Sequence, residues 1–244
     1  MIKNALLIGA TGLTGKDVLI NLLNNPIYQS VTIVTRHKLD INNEKLKQHV
    51  SDFKAIKQLA PQFENIDHVY CCLGTTIKKA KSKENFAAID YDLVINLAKL
   101  AKQSNVDKFL VISSIGANPT SKAFYSATKG KMEVKLKTLH LANTFVFRPS
   151  LLLGKRNEFR LLERLSESLA SLLSFLFIGP LTKYKPINAS DVALAMIATA
   201  NFASLHQEYQ WPLSNQTTSP THDHNFIVIE NQQIRELANL SNTP

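Results

Sequence analysis

Residues 4–25 read NALLIGATGLTGKDVLINLLNN. Four apolar residues, 5–8, run straight into glycines at 9, 12 and 15, and apolar positions then recur at helical spacing through Val18, Leu19, Leu22 and Leu23. An unbroken apolar run of this kind suits a strand covered on both faces of a parallel sheet. The glycines sit where such a strand turns into a helix. There glycine permits a tight turn, lets backbone N–H groups approach a pyrophosphate and lets helix and strand pack closely, while the helix N-terminus adds positive potential. The stretch therefore predicts the first β-strand, turn and helix of a doubly wound α/β fold, with Gly9, Thr11, Gly12, Leu13, Thr14 and Gly15 expected around a dinucleotide's phosphates.

The same alternation continues outward. VTIVT (31–35), HVYCCLG (68–74), KFLVISS (108–114) and TFVFRPS (144–150) read as further strands, with helices from Glu84 to Gln103 and from Tyr125. Residues 1–150 are thus expected to form a Rossmann core with a parallel sheet. Beyond Pro149 the pattern changes to a leucine-rich helical stretch (157–178), a helix at 189–200 and a polar loop at 212–224. Residues 151–244 are expected as a small C-terminal cap, integrated with the core in a single overall domain and supplying the substrate side.

Composition narrows the function classes. The formal net charge of +9, from 28 Lys and Arg against 19 Asp and Glu, raises the question of nucleic acid. The lysine groups at 78, 79, 81 and 83 and at 129, 131, 135 and 137 carry no interleaved aromatics, so an anionic cofactor is expected and a nucleic acid is not. In 160–179 the strongly apolar part is too short to span a bilayer, and no stable membrane insertion is expected. Only Cys71 and Cys72 occur, side by side, so neither a metal site nor a disulfide framework follows. With an N-terminal apolar stretch too short for a signal peptide, the expectation is a reducing, cytoplasmic setting.

Where the second strand ends, an NAD-selective site places a carboxylate against the ribose hydroxyls. Here the residues are Thr35, Arg36, His37 and Lys38. A guanidinium attracts a ribose phosphate, so NADP(H) is the expected cofactor, with Arg36 at the phosphate and Asp52 and Phe53 against the adenine. The segment SSIGANPTSKAFYSATKGKME (113–133) then acquires chemical meaning. Tyr125 and Lys129 stand one helical turn apart on a shared face, where an ammonium favours the phenolate and makes the tyrosine a usable general acid or base. Ser113 closes the preceding strand and is the expected polarising hydroxyl, with Ser114 the competing choice, since neighbouring strand residues face opposite ways.

With these motifs in order, the sequence resembles the short-chain dehydrogenase/reductase superfamily, and within it the atypical Tat-interacting-protein-like oxidoreductases. The similarity covers residues 3–200 through GATGLTG, CCLGTT (71–76), AAIDYDLVINLAKLA (87–101), the 113–133 segment and FRPSLLLG (147–154). The resemblance implies a Rossmann fold, NADP(H) and Ser-Tyr-Lys catalysis at Ser113, Tyr125 and Lys129. It implies that Cys72, Leu73, Gly74 and Thr75 pass under the cofactor, that Tyr125 and Lys129 also touch it, and that Pro149 flanks the nicotinamide. The superfamily's frequent fourth residue, a helix asparagine, has its nearest counterpart at Asn96. The implied activity is hydride transfer to or from a small carbonyl or alcohol substrate. The competing reading is a non-catalytic NADP(H) sensor or scaffold that binds a protein partner.

Overall fold

The computed structural model describes residues 2–154, 179–201 and 225–241. The leucine-rich stretch 157–178 and the polar loop 212–224 lie outside the described residues.

Strand β1 (Lys3–Ile8) leads through the glycine turn into α1 (Leu13–Asn24), and β2 (Tyr28–Thr35) returns parallel beside β1. Next come β3 (Leu46–Val50), a 3-10 turn (Ile56–Phe63) and β4 (His68–Cys71). Short helices α2 (Ile77–Ala80) and α3 (Lys83–Ala87) pass through a π turn (Ala88–Leu93) into α4 (Val94–Gln103). The chain then builds β5 (Lys108–Ile112), α5 (Phe124–Lys137), β6 (Thr144–Arg148), β7 (Leu152–Leu153), β8 (Ile187–Asn188) and α6 (Ala189–Asn201). Strand β9 (Phe226–Glu230) and helix α7 (Asn231–Ser241) complete it.

The main sheet is parallel throughout, in the order β3-β2-β1-β4-β5-β6-β9. Its apolar strands are explained by two covered faces. Ala5 and Leu7 pack with α1, α6 and α7, whereas Leu6 and Ile8 pack with α4 and α5. This is the doubly wound Rossmann fold. The direction of winding reverses between β1 and β4, and a crevice outside the carboxyl ends of those two strands is where such sheets bind ligands. Two strands of the sheet escape the apolar pattern read above. β3 (LKQHV) is a half-exposed edge strand whose polar residues hide it, and β9 (FIVIE) comes from the region expected as a cap yet hydrogen-bonds beside β6.

Candidate functional site

The glycine turn occupies the reversal point. Gly9 has φ +90, and a Cβ there would sit 2.6 Å from the Cys72 carbonyl oxygen, so β1 and the end of β4 approach as only glycine allows. A Cβ on Gly15 would lie 2.0 Å from the Gly9 carbonyl oxygen, which fixes Gly15 as the contact between helix and turn. Gly12 differs: its φ is −72, and a Cβ would meet the Gly9 carbonyl oxygen at 3.2 Å and the Cys72 carbonyl oxygen at 3.7 Å.

Helix α1 begins without a side-chain cap and with no acidic residue in its first turn. Its first N–H groups therefore retain donor capacity and positive potential. The Thr14 hydroxyl, on a residue 4% exposed, has no hydrogen-bond partner in the protein. An uncapped helix start, an orphaned buried hydroxyl and backbone kept bare by glycine fit the pyrophosphate of a dinucleotide. A cavity of about 250 Å³ opens beside Leu13 and Lys16, against Gly154 and Ser190.

The other expected cofactor contacts lie around this turn. Register pairing of Ile8 with Val34 brings the end of β2 beside Gly9, and Arg36 follows it in solvent. The Thr35 hydroxyl donates to the His37 carbonyl oxygen at 2.8 Å and shapes that exit. Asp52 is exposed and accepts from the Lys54 N–H at 2.9 Å, the bond that chiefly lowers its carboxyl below the ordinary value; Phe53 adopts φ 63 and packs partly against the core. Cys71 and Cys72 are buried, and burial pushes the Cys71 thiol up to about 12, so it stays protonated and packs.

On α5, Tyr125, Lys129 and Glu133 follow one another at successive turns, and each meets a defined partner. The Tyr125 ring centroid lies 5.4 Å from that of Phe86. Lys129 Nζ lies 2.7 Å from Asp90 Oδ1 and donates to the Ile112 carbonyl oxygen at 3.4 Å. Glu133 accepts from the Ser113 hydroxyl at 2.5 Å. Phe86 and Asp90 are themselves four residues apart, so two helical stripes touch in register, ring against ring and charge against charge. Lys129 is 2% exposed and Asp90 0%. The second Asp90 oxygen accepts the Thr75 N–H at 2.9 Å, which ties the end of the β4 segment to the same pair.

Two expectations change. Asn96 sits on α4 and accepts from the neighbouring Lys99 at 3.5 Å, whereas the residue touching Lys129 is Asp90 in the π turn. A signal existed: Phe86, Asp90, Val94, Leu97 and Ala101 are all buried along one helix, and a carboxylate inside an apolar stripe marks a buried partner. Ser113, expected to face substrate, spends its one hydroxyl hydrogen on Glu133. It joins a structural network in which Glu133 takes Arg148 Nε at 3.0 Å and Nη2 at 2.5 Å, and Arg148 Nη1 reaches Glu230 at 2.8 Å. Ser114 is half-buried beside it, with its hydroxyl 3.3 Å from the Ile115 carbonyl oxygen, a long and weak bond.

The loop between serines and tyrosine is set by Gly130. A Cβ at that position would lie 2.3 Å from both the Asn118 carbonyl carbon and the Pro119 nitrogen, so the loop lies directly on α5. Pro149 accepts from the Ile115 N–H at 2.9 Å and is thereby brought to the serine loop. Asn231, at the start of α7, accepts from the Ser150 N–H at 3.0 Å and donates to the Lys183 and Lys185 carbonyl oxygens, so the C-terminal element braces the segment carrying Pro149.

The family described as NAD(P)H-binding matches residues 9–173. The rat protein HTATIP2 is 37% identical over 161 residues, covering 65% of this chain and 66% of its own length. From Candida albicans, the protein FMP52, mitochondrial, is 35% identical over 202 residues, covering 78% of this chain and 85% of its own. Among solved structures, MoeE5 in complex with UDP-glucuronic acid and NAD superposes with a TM-score of 0.64 at 17% identity, covering 83% of this chain and 73% of that one. UDP-glucose 4-epimerase from Thermotoga maritima gives 0.60 at 15% identity, covering 80% and 72%. These two likenesses concern the fold alone.

The cytoplasmic expectation is overturned, because several fungal relatives are named as mitochondrial proteins. A shortage of cysteines separates oxidising from reducing compartments and does not separate one reducing compartment from another. Among the described residues no helix is long and apolar enough to cross a membrane, and no group of three or more His, Cys, Asp and Glu could hold a metal ion. With the matched segment spanning more than half of its length, the chain belongs to the NAD(P)H-binding family, on a Rossmann fold with atypical short-chain dehydrogenase/reductase relatives.

Proposed function

We propose that the protein is an NADPH-dependent reductase of a small carbonyl compound. The observation that carries this reading is the α5 stripe, where Tyr125 stands one helical turn before a buried Lys129 held by Asp90. The bound dihydronicotinamide supplies the hydride. Tyr125, half-buried against Phe86, gives the proton to the developing alkoxide. Lys129 holds the nicotinamide ribose and orients the phenol. Ser114, whose hydroxyl hydrogen is only weakly engaged, polarises the substrate carbonyl, while Ser113 holds Glu133 and the strand end in place. Thr14 and the turn 9–15 take the pyrophosphate, Arg36 the ribose phosphate, Asp52 and Phe53 the adenine, and Cys72 through Thr75 with Pro149 flank the rest.

The test is a screen of carbonyl compounds, including nucleotide-sugar ketones, followed by NADPH absorbance. Tyr125→Phe should lower turnover of any substrate found by about 10²- to 10⁴-fold while cofactor affinity stays within a few-fold. Full activity in Tyr125→Phe would remove the catalytic assignment. Tight cofactor binding with no carbonyl reduced would favour instead a sensor that reports NADP(H) to a protein partner.

A further inference from the structure

Asp90 is fully buried on an otherwise apolar stripe; Oδ1 lies 2.7 Å from Lys129 Nζ as an ion pair without an aligned hydrogen bond, and Oδ2 accepts the Thr75 N–H at 2.9 Å. Neither the ammonium nor the amide N–H can accept a hydrogen bond. A carboxylate offers an oxygen to each. An asparagine offers one oxygen and turns its NH₂ toward the other donor. The position therefore requires a negative charge, which cancels the lysine's.

We propose that Asp90 sets the balance between oxidised and reduced nicotinamide at this site, by neutralising Lys129 where the ring binds. The inference rests on the reading that places Lys129 at the nicotinamide ribose. There the two oxidation states differ by one positive charge, carried on the oxidised ring. With the pair intact, the cationic ring meets a net charge of zero. With the ammonium alone, the oxidised ring is repelled and the neutral, reduced ring is not. Burial of both partners keeps solvent ions from screening the difference.

The remaining ionisable groups around the pair do not supply the missing charge. Cys71, at the end of β4, feels Lys129 and Asp90 in opposite senses, but burial dominates and keeps it neutral. On α5, Glu133 is matched by Arg148. Tyr125 shares the lysine's face one turn away and is the group through which hydride transfer would be read separately.

The experiment measures NADPH and NADP⁺ affinities of the full chain by calorimetric titration at one pH and low salt. In Asp90→Asn, NADP⁺ should weaken relative to NADPH by about 3- to 10-fold, the size expected of one added charge several ångströms away at intermediate dielectric. If the amide facing two donors prevents folding, Asp90→Ala makes the same change of charge without that clash. The double variant Asp90→Asn with Lys129→Met is again neutral, and its ratio should return to within about 2-fold of wild type although both affinities fall. A merely structural role would weaken both forms by one factor, and an unmoved ratio in the single variants overturns the inference while the cofactor site stands. If the unmutated chain binds neither form, the cofactor reading fails and takes the inference with it.

Discussion

The two ends of the sheet bury polar groups in opposite ways. Toward the amino ends of the strands, the Tyr28 hydroxyl bridges His68 Nδ1 at 2.8 Å and the Tyr70 hydroxyl at 2.7 Å. Burial pushes His68 down to about 3 and both tyrosines up, so the cluster is held neutral. At the carboxyl ends, Asp90 and Lys129 form a buried ion pair, and the buried Glu133 pairs with the partly exposed Arg148. Replacing buried ion pairs by apolar residues is often neutral or stabilising, so stability alone gives weak reason for them. At the first end a neutral cluster ties β2 to β4 while His68 Nε2 is left without a hydrogen-bond partner, and at the other end the ionic groups are paired.

The sharpest way to break this contrast is through the glycines, because two of them look alike in sequence and differ in space. Gly15→Ala puts a methyl group 2.0 Å from the Gly9 carbonyl oxygen, and backbone must move. The expected cost is about 5 kcal/mol or more, at the exceptional end for a single substitution. Gly12→Val meets the same oxygen at 3.2 Å and can be accommodated, yet its branches fill the phosphate cradle. It should fold and lose cofactor affinity about 100-fold. Urea denaturation and cofactor titration separate the two. A Gly12→Val protein with unchanged affinity would move the phosphate site elsewhere.

His68 tests the neutral end. Its folded-state value of about 3 lies below the ordinary unfolded value near 6.5, so in that window the unfolded chain binds more protons and stability rises with pH. Stability should therefore be whole above about pH 6.5 and decline by on the order of 3 to 4 kcal/mol as pH falls toward 3. His68→Gln can still accept from Tyr28 and cannot be charged. Urea unfolding at a series of pH values should show its dependence flattened by that amount, and equal slopes in both proteins would show that His68 is open to solvent.

What the sequence disclosed follows the same division. The β1 turn and the helix that carries Tyr125 and Lys129 one turn apart are legible because each depends on residues close in the chain. Asp90 and Asp92 look equivalent in a run, yet one is fully buried and the other exposed, because helix phase against α5 decides between them. The choice between Ser113 and Ser114 turns on Glu133 twenty residues away, and Gly130 has no visible purpose until Asn118 and Pro119 lie across it. The place of β9 beside β6 is a long-range pairing that no local pattern encodes.

The smallest effect concerns the ribose end of the crevice, where charge is exposed instead of buried. Arg36 follows β2 in solvent, beside the turn that the pairing of Ile8 with Val34 brings near. A phosphate on the adenosine ribose can accept charge-assisted hydrogen bonds from its guanidinium. Because the pair stays wet, NADPH should bind more tightly than NADH by only about 1 to 2 kcal/mol. Arg36→Asp should reverse the order, since the carboxylate repels the phosphate and accepts from the ribose hydroxyls of NADH. Raising salt from 0.05 to 0.5 M, an interval over which the screening length falls from about 14 to about 4 Å, should narrow the wild-type preference and leave the buried Asp90–Lys129 effect nearly unchanged. Equal affinities for NADPH and NADH in the unmutated protein at low salt would mean that Arg36 makes no contact with the phosphate, and the preference for NADP(H) would fall.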